Sequence, residues 1–261
     1  MNKILMCRPT NFDVKYSINP WMENQIGKVN NLLALNQWHV LFEALSKNNI
    51  VNLINSVVDT PDLVFTANAG FIHGKVAILS KFANPERQPE EAVFGAWFES
   101  KGYTVVQPVL NYEGEGDHLK DSKGRHWVGS GFRTDRNVGP ELSKILGTEV
   151  NMLEMVDPRW YHLDTCFCPL PFGQLLWYPP AFNASSQITI RKAFQYNIEI
   201  SLADALLFTC NCISMGSNLF LPKNNYASFA LENLGYVVSE FELGEFMKAG
   251  GAAKCLVLHM E

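Results

Sequence analysis

Cys255 opens the apolar run Leu256-Val257-Leu258 and follows the stretch Lys248-Ala249-Gly250-Gly251-Ala252-Ala253-Lys254. A loop this poor in side chains lets another group come close to the thiol, and an adjacent lysine brings positive charge that lowers a thiol's pKa. Isolated cysteines more often simply pack in a core, so a chemical role depends on what else the chain aims at the same place. His162 and Asp164 are two residues apart, and on a strand they would share a face. Asn68 ends Phe65-Thr66-Ala67-Asn68, and Glu113 and Asp117 bracket Glu113-Gly114-Glu115-Gly116-Asp117. A thiol with an imidazole is the minimum set for thiolate catalysis, and nearby carboxylates orient the imidazole and hold a cationic substrate.

These residues converge only if distant segments are folded onto one point, and a repeat supplies the means. Strand-turn-strand units recur with a period of about 45–50 residues. They span Leu63–Leu79, Asp117–Ser130, Tyr161–Tyr178 and Ala205–Leu221. Helices with 3.6-residue periodicity are read at Asn30–Asn48, Ala92–Ser100 and Tyr226–Leu234. Gly102, Gly147 and Gly235 each precede a β-branched strand and mark helix ends. The remaining unit is split: Cys255–His259 supplies one strand and Ile4–Met6 the other, which closes a ring without open sheet edges. The expected architecture is an α/β fold, a five-bladed α/β-propeller of ββαβ units, forming one domain over residues 1–261. The first strand of each unit is expected to carry the polar residues to the axis.

The net charge of −5 offers no basic surface for nucleic acid or anionic lipid. No apolar run reaches the ~18 residues of a membrane span, and the N-terminus is too short in apolar residues for a signal-peptide core. Six cysteines without a secretion signal point to free thiols in a reducing cytoplasm. The pairs Cys166/Cys168 and Cys210/Cys212 have one intervening residue, fewer than zinc knuckles use, and are assigned to packing.

These motifs resemble the guanidine-modifying, or pentein, superfamily of arginine deiminases, dimethylargininases and amidinotransferases, and most of all the cyanobacterial-type arginine dihydrolases. The resemblance runs through Ile18-Asn19-Pro20-Trp21-Met22, the Pro61–Gly70 segment, Glu86-Arg87-Gln88, Glu113–Asp117, Gly131-Phe132-Arg133, Tyr161–Leu170 and Phe246–Leu256. It implies that Cys255 attacks a guanidinium carbon, with His162 as acid toward departing ammonia and then base toward water. It implies that Asp164, Asp117 and an acid of the loop hold the guanidinium. The loop is one residue longer than the family's usual Glu-Gly-Gly-Asp, so Glu113 is preferred to Glu115 without the spacing deciding it. Arg87 and Arg133 would meet the substrate α-carboxylate, and Asn19 and Phe65 would line the mouth, although Asn19 could equally cap a turn before Pro20. No metal or organic cofactor is implied.

Asn68 stands where many deiminases carry Asp. An amide both accepts and donates, so it could hold a guanidinium and then a ureido oxygen, which leads from arginine to ornithine, carbon dioxide and two ammonia. The alternatives are a deiminase or dimethylargininase that stops at citrulline, an amidinotransferase, and a non-catalytic binding protein on the same fold. The implied partner is a small guanidino substrate, and association with further copies of the chain is left open.

Overall fold

The computed structural model describes residues 2–260. It contains five three-stranded sheets, and each repeats one construction. A short first strand pairs antiparallel with a second, the chain crosses over through a helix, and a third strand pairs parallel with the second. In the second blade these strands are Gly70–His73, Val76–Leu79 and Thr104–Val106, with the helix Pro89–Ser100 between the last two. The third uses His118–Lys120, His126–Ser130 and Val150–Glu154. The fourth uses Phe167–Pro169, Leu175–Trp177 and Asn197–Glu199, and the fifth Ile213–Met215, Asn218–Pro222 and Val237–Phe241.

The first blade is the split one. Leu258–Met260 runs antiparallel to Asn2–Cys7 in the register Lys3↔Met260, Ile4↔His259, Leu5↔Leu258, and Asn49–Ile54 joins on the other side. Its crossover helix, Asn31–Ser46, is capped by Asn30, whose side chain accepts the Leu33 amide at 3.1 Å. Ala34, Trp38, Leu41 and Leu45 recur at helical spacing and are fully buried against the sheet, each large side chain contributing about 1.5–3 kcal/mol. Gly147 takes the left-handed conformation (φ 67°) that ends the third blade's helix, as its place before a strand predicts.

Two expectations about local structure are corrected. The terminal strand begins at Leu258, and Cys255 sits before it on the 3-10 turn Lys254–Leu256. The polar residues of the other blades likewise lie on turns ahead of the first strand, at Thr66–Ala69, Gly114–Asp117 and Leu163–Thr165. A strand would bury its amides in ladder bonds. A turn leaves them free to bond sideways, and this is how the ring closes. Thr66 Oγ1 donates to Leu256 O (2.9 Å), Asn68 Nδ2 to Glu113 O (3.1 Å) and the Leu163 amide to Asp117 Oδ1 (3.0 Å). Asn211 Nδ2 then donates to Asp164 O (3.3 Å), and the Lys254 amide to Asn211 O (3.2 Å). Each blade is thus bonded to the next around one axis.

Candidate active site

The thiol of Cys255 is buried at that axis. Its Sγ donates to Asp164 Oδ2 (3.2 Å) and accepts from Asn211 Nδ2 (3.0 Å). Burial, reinforced by the Asp164 carboxylate, pushes the thiol well above its ordinary range. Burial also raises Asp164, to about 7, against the pull of Lys254 and the Cys255 hydrogen bond. Lys254 does not activate the thiol as adjacency in sequence suggests, because its ammonium turns away to Glu115 Oε2 (2.8 Å) and Val257 O (3.0 Å). The glycines before Cys255 do clear space. A Cβ on Gly251 would lie 2.6 Å from the Phe65 ring and 3.1 Å from Cys255 Cβ, and one on Gly250 would meet Asn19 and Tyr161 at 2.9 Å.

His162 faces Glu113, with Nε2 2.7 Å from Oε2. Burial lowers the imidazole to about 4, outweighing Glu113, so His162 is neutral at pH 7. Glu113 is also buried, yet Arg133 and the His162 hydrogen bond bring it down to about 2, and it stays ionised. A neutral imidazole bonded to a carboxylate through Nε2 carries its proton there and leaves Nδ1 as the basic nitrogen. Arg133 joins the pair: Nη1 donates to Glu113 Oε2 (3.2 Å), Nη2 to Ile18 O (2.9 Å), and the guanidinium lies over the Tyr161 ring at 4.7 Å. Asp117 is at the same centre, but its oxygens accept from the Leu163 amide (3.0 Å) and Thr134 Oγ1 (2.7 Å). Through the first of these bonds it holds the His162 segment in place.

Asn68 Oδ1 accepts from Arg87 Nη1 (3.0 Å), which fixes the amide and turns Nδ2 to the Glu113 carbonyl. Arg87 is clasped by Glu90 through Nε (2.9 Å) and Nη2 (2.8 Å). A narrow cavity over Cys255 is lined by Asn19, Phe65, Asn68, Arg87, Arg133 and Tyr161 among others, and its free volume is only about 10 Å³. Asn19 serves both readings offered for it. It caps the turn Pro20–Met22 by accepting the Trp21 and Met22 amides, and it lines this cavity.

No protein-family model matches the chain. It is 46% identical over 264 residues to the bifunctional arginine dihydrolase/ornithine cyclodeaminase AgrE of Nostoc sp., covering 99% of this chain but 38% of that one, well under half its length. To the N(G),N(G)-dimethylarginine dimethylaminohydrolase of Mycobacterium tuberculosis it is 37% identical, over 98% of this chain and 84% of that protein. The chain belongs to the guanidine-modifying, or pentein, superfamily. As a pentein it superposes with TM-score 0.97 on the N-terminal domain of ArgZ, at 43% identity and covering 99% of this chain and 98% of that one. That crystal structure is of a cysteine-to-serine variant bound to substrate, described as an arginine dihydrolase from the ornithine–ammonia cycle in cyanobacteria.

In this pentein Cys255, His162, Asp164, Asn68 and Glu113 come together around the axis, Asn19, Phe65, Arg87 and Arg133 line the cavity over it, and the two loop acids point in different directions. Glu113 faces His162, whereas Glu115 faces Lys254 and the His259 amide (3.0 Å). The four paired cysteines lie in the core shared by the third, fourth and fifth blades. Among the described residues, no group of three or more His, Cys, Asp or Glu is arranged to hold a metal ion, and no helix is long and apolar enough to cross a membrane. Sequence reasoning missed Asn211, Glu90, Asp62 and Tyr161. Asn211 left a signal, since it is the fifth blade's polar residue, flanked by Cys210 and Cys212 just ahead of the first strand at Ile213.

Proposed function

We propose that this pentein is a cysteine-dependent hydrolase of the guanidino group of L-arginine that carries the reaction to ornithine, carbon dioxide and two ammonia. The observation that carries this reading is the convergence, at one buried centre, of the Cys255 thiol on Asp164 with a neutral His162 on ionised Glu113. Asp164 Oδ1 is buried without a hydrogen-bond partner and is suited to accept a guanidinium N–H. A guanidinium seated there stabilises a thiolate, which burial alone disfavours.

In the proposed reaction, the thiol proton passes to His162 and the Cys255 sulfur bonds to the guanidinium carbon. The C–N bond then breaks, and ammonia leaves with that electron pair and the proton held by His162. Water attacks the bound carbon as His162 takes its proton, the C–S bond breaks, and a ureido product results. A second attack expels the second ammonia, and hydrolysis yields carbon dioxide and ornithine. Arg87 and Arg133 supply positive potential for the α-carboxylate, and Asn19 and Phe65 shape the mouth. The Asn68 amide, with one N–H spent on Glu113 O, has a second to donate to a ureido oxygen. The steps need no metal or organic cofactor. We read residues 1–261 as one catalytic domain working in the cytoplasm, where its thiols stay reduced.

Cys255→Ala tests the assignment. It is expected to lose arginine turnover, followed as ammonia released, by more than a thousandfold with an unchanged melting profile. Activity within tenfold of the parent contradicts a covalent mechanism.

A further inference from the structure

Asn211 is fully buried, and four of its five bonds to neighbouring blades are made by its side chain. Oδ1 accepts the backbone amides of Ala252 and Cys255, both at 3.1 Å. Nδ2 donates to Cys255 Sγ at 3.0 Å and to Asp164 O at 3.3 Å. The orientation of the amide is therefore determined. Two N–H groups can only face its oxygen, so its nitrogen can only face the sulfur. The turn that delivers it is held under strain: Phe208 adopts φ 57°, a left-handed conformation uncommon for an aromatic residue, and its carbonyl accepts the Asn211 amide at 2.8 Å.

We propose that Asn211 is a catalytic residue, the permanently oriented N–H donor that stabilises negative charge on the Cys255 sulfur as it attacks and as it later departs. This deepens, and rests on, the reading of Cys255 as nucleophile. The two polar partners of the sulfur act in opposite senses. Asp164 accepts from the thiol and favours S–H, whereas the Asn211 donor is satisfied only by lone-pair density and favours S⁻. Because Oδ1 also holds the Cys255 backbone amide, the donor moves with the sulfur and its alignment is kept through the reaction. The other titratable groups facing this centre are Tyr161, on the segment leading to His162, Lys254, which acts on it through Asp164, and His162 itself, the base of the proposed reaction.

Asn211→Asp keeps the acceptor for both backbone amides and sets an oxygen against the sulfur in place of the N–H. The rate of Cys255 alkylation by iodoacetamide, followed against pH by intact mass, reads the thiol directly and without turnover. It is expected to fall at least tenfold at pH 8, with the profile displaced upward by a pH unit or more. For arginine hydrolysis, kcat should fall at least tenfold while KM stays within threefold. Asn211→Ser, smaller and easily accommodated, decides the matter if the aspartate variant does not fold, and is expected to slow alkylation in the same direction. An alkylation profile within threefold of the parent in the folded variant overturns the proposal, as does a lowered melting temperature with the profile unmoved. A Cys255→Ala control separates the two readings. If that variant keeps its activity, the nucleophile assignment has failed; if it is inactive and the alkylation profile is unchanged, only the role of Asn211 has failed.

Discussion

Arg87 can only donate, so its bond to Asn68 Oδ1 decides which way the amide of Asn68 points, and Nδ2 is left facing the Glu113 carbonyl and the cavity. An aspartate at position 68 would set an oxygen against that carbonyl and offer a ureido oxygen no donor. An unpaired oxygen in a closed site costs about 1–3 kcal/mol, or ~10–100-fold in rate. Asn68→Asp is therefore expected to consume arginine and accumulate citrulline, seen by amino-acid analysis; ornithine formed at the parental rate contradicts this. Cys255, His162, Glu113 and Asn68 were legible because their residue types do chemistry and their places in the repeat agree. The effect of Lys254 on the thiol was misread, because neighbours in sequence need not point the same way and its ammonium is neutralised by Glu115. Glu90 and Asp62 were not legible, since a carboxylate buried beside an arginine looks in sequence like any surface acid.

At the scale of elements, short turns ahead of the first strands do the positioning, 3-10 in the first, second and fourth blades and a single α-helical turn in the third. The sequence shows apolar strands and turn residues, but a four-residue turn has too few positions for a periodicity, so the polar residues were assigned to strands. The stretch leading to Cys255 is closely packed. Gly251→Ala would press a methyl group into the Phe65 ring, which must move, and against Cys255 Cβ, which must give by a few tenths of an ångström. Displacement of a reacting group by about 1 Å costs ~100-fold, so a smaller shift costs less. That variant is expected to retain its circular dichroism and lose about tenfold in kcat, and parental kcat contradicts the close packing. The third blade's hairpin buries His118 between Tyr112 Oη (2.7 Å) and His126 Nδ1 (2.9 Å). Burial first, and His126 second, hold His118 well below its usual 6.5. The unfolded chain takes up a proton there near pH 6.5 and the folded chain does not, so this contribution is complete above that pH and lost as pH falls below it. Between pH 7.5 and 5 the melting temperature of the parent should fall more steeply than that of His118→Gln, by a few degrees at ~2–4 °C per kcal/mol. Parallel curves contradict it.

The molecule as a whole closes by pairing its two ends, and this was legible because four complete repeats left a strand over near the C-terminus and the rest of one repeat near the N-terminus. The five hydrogen bonds that pass from blade to blade were not, because each joins residues whose separation no local pattern encodes. The segment carrying Ile18 and Asn19 is tied down over the thiol by Arg133 and the Ala249 carbonyl, and little room is left beneath it. One buried thiol, steadied by its neighbours, is proposed to attack the guanidino carbon twice. Incubating the parent protein with L-arginine and measuring ammonia, citrulline and ornithine together at completion decides this. Ornithine with about two ammonia for each arginine consumed is expected; citrulline as the end product, with one ammonia, rules it out.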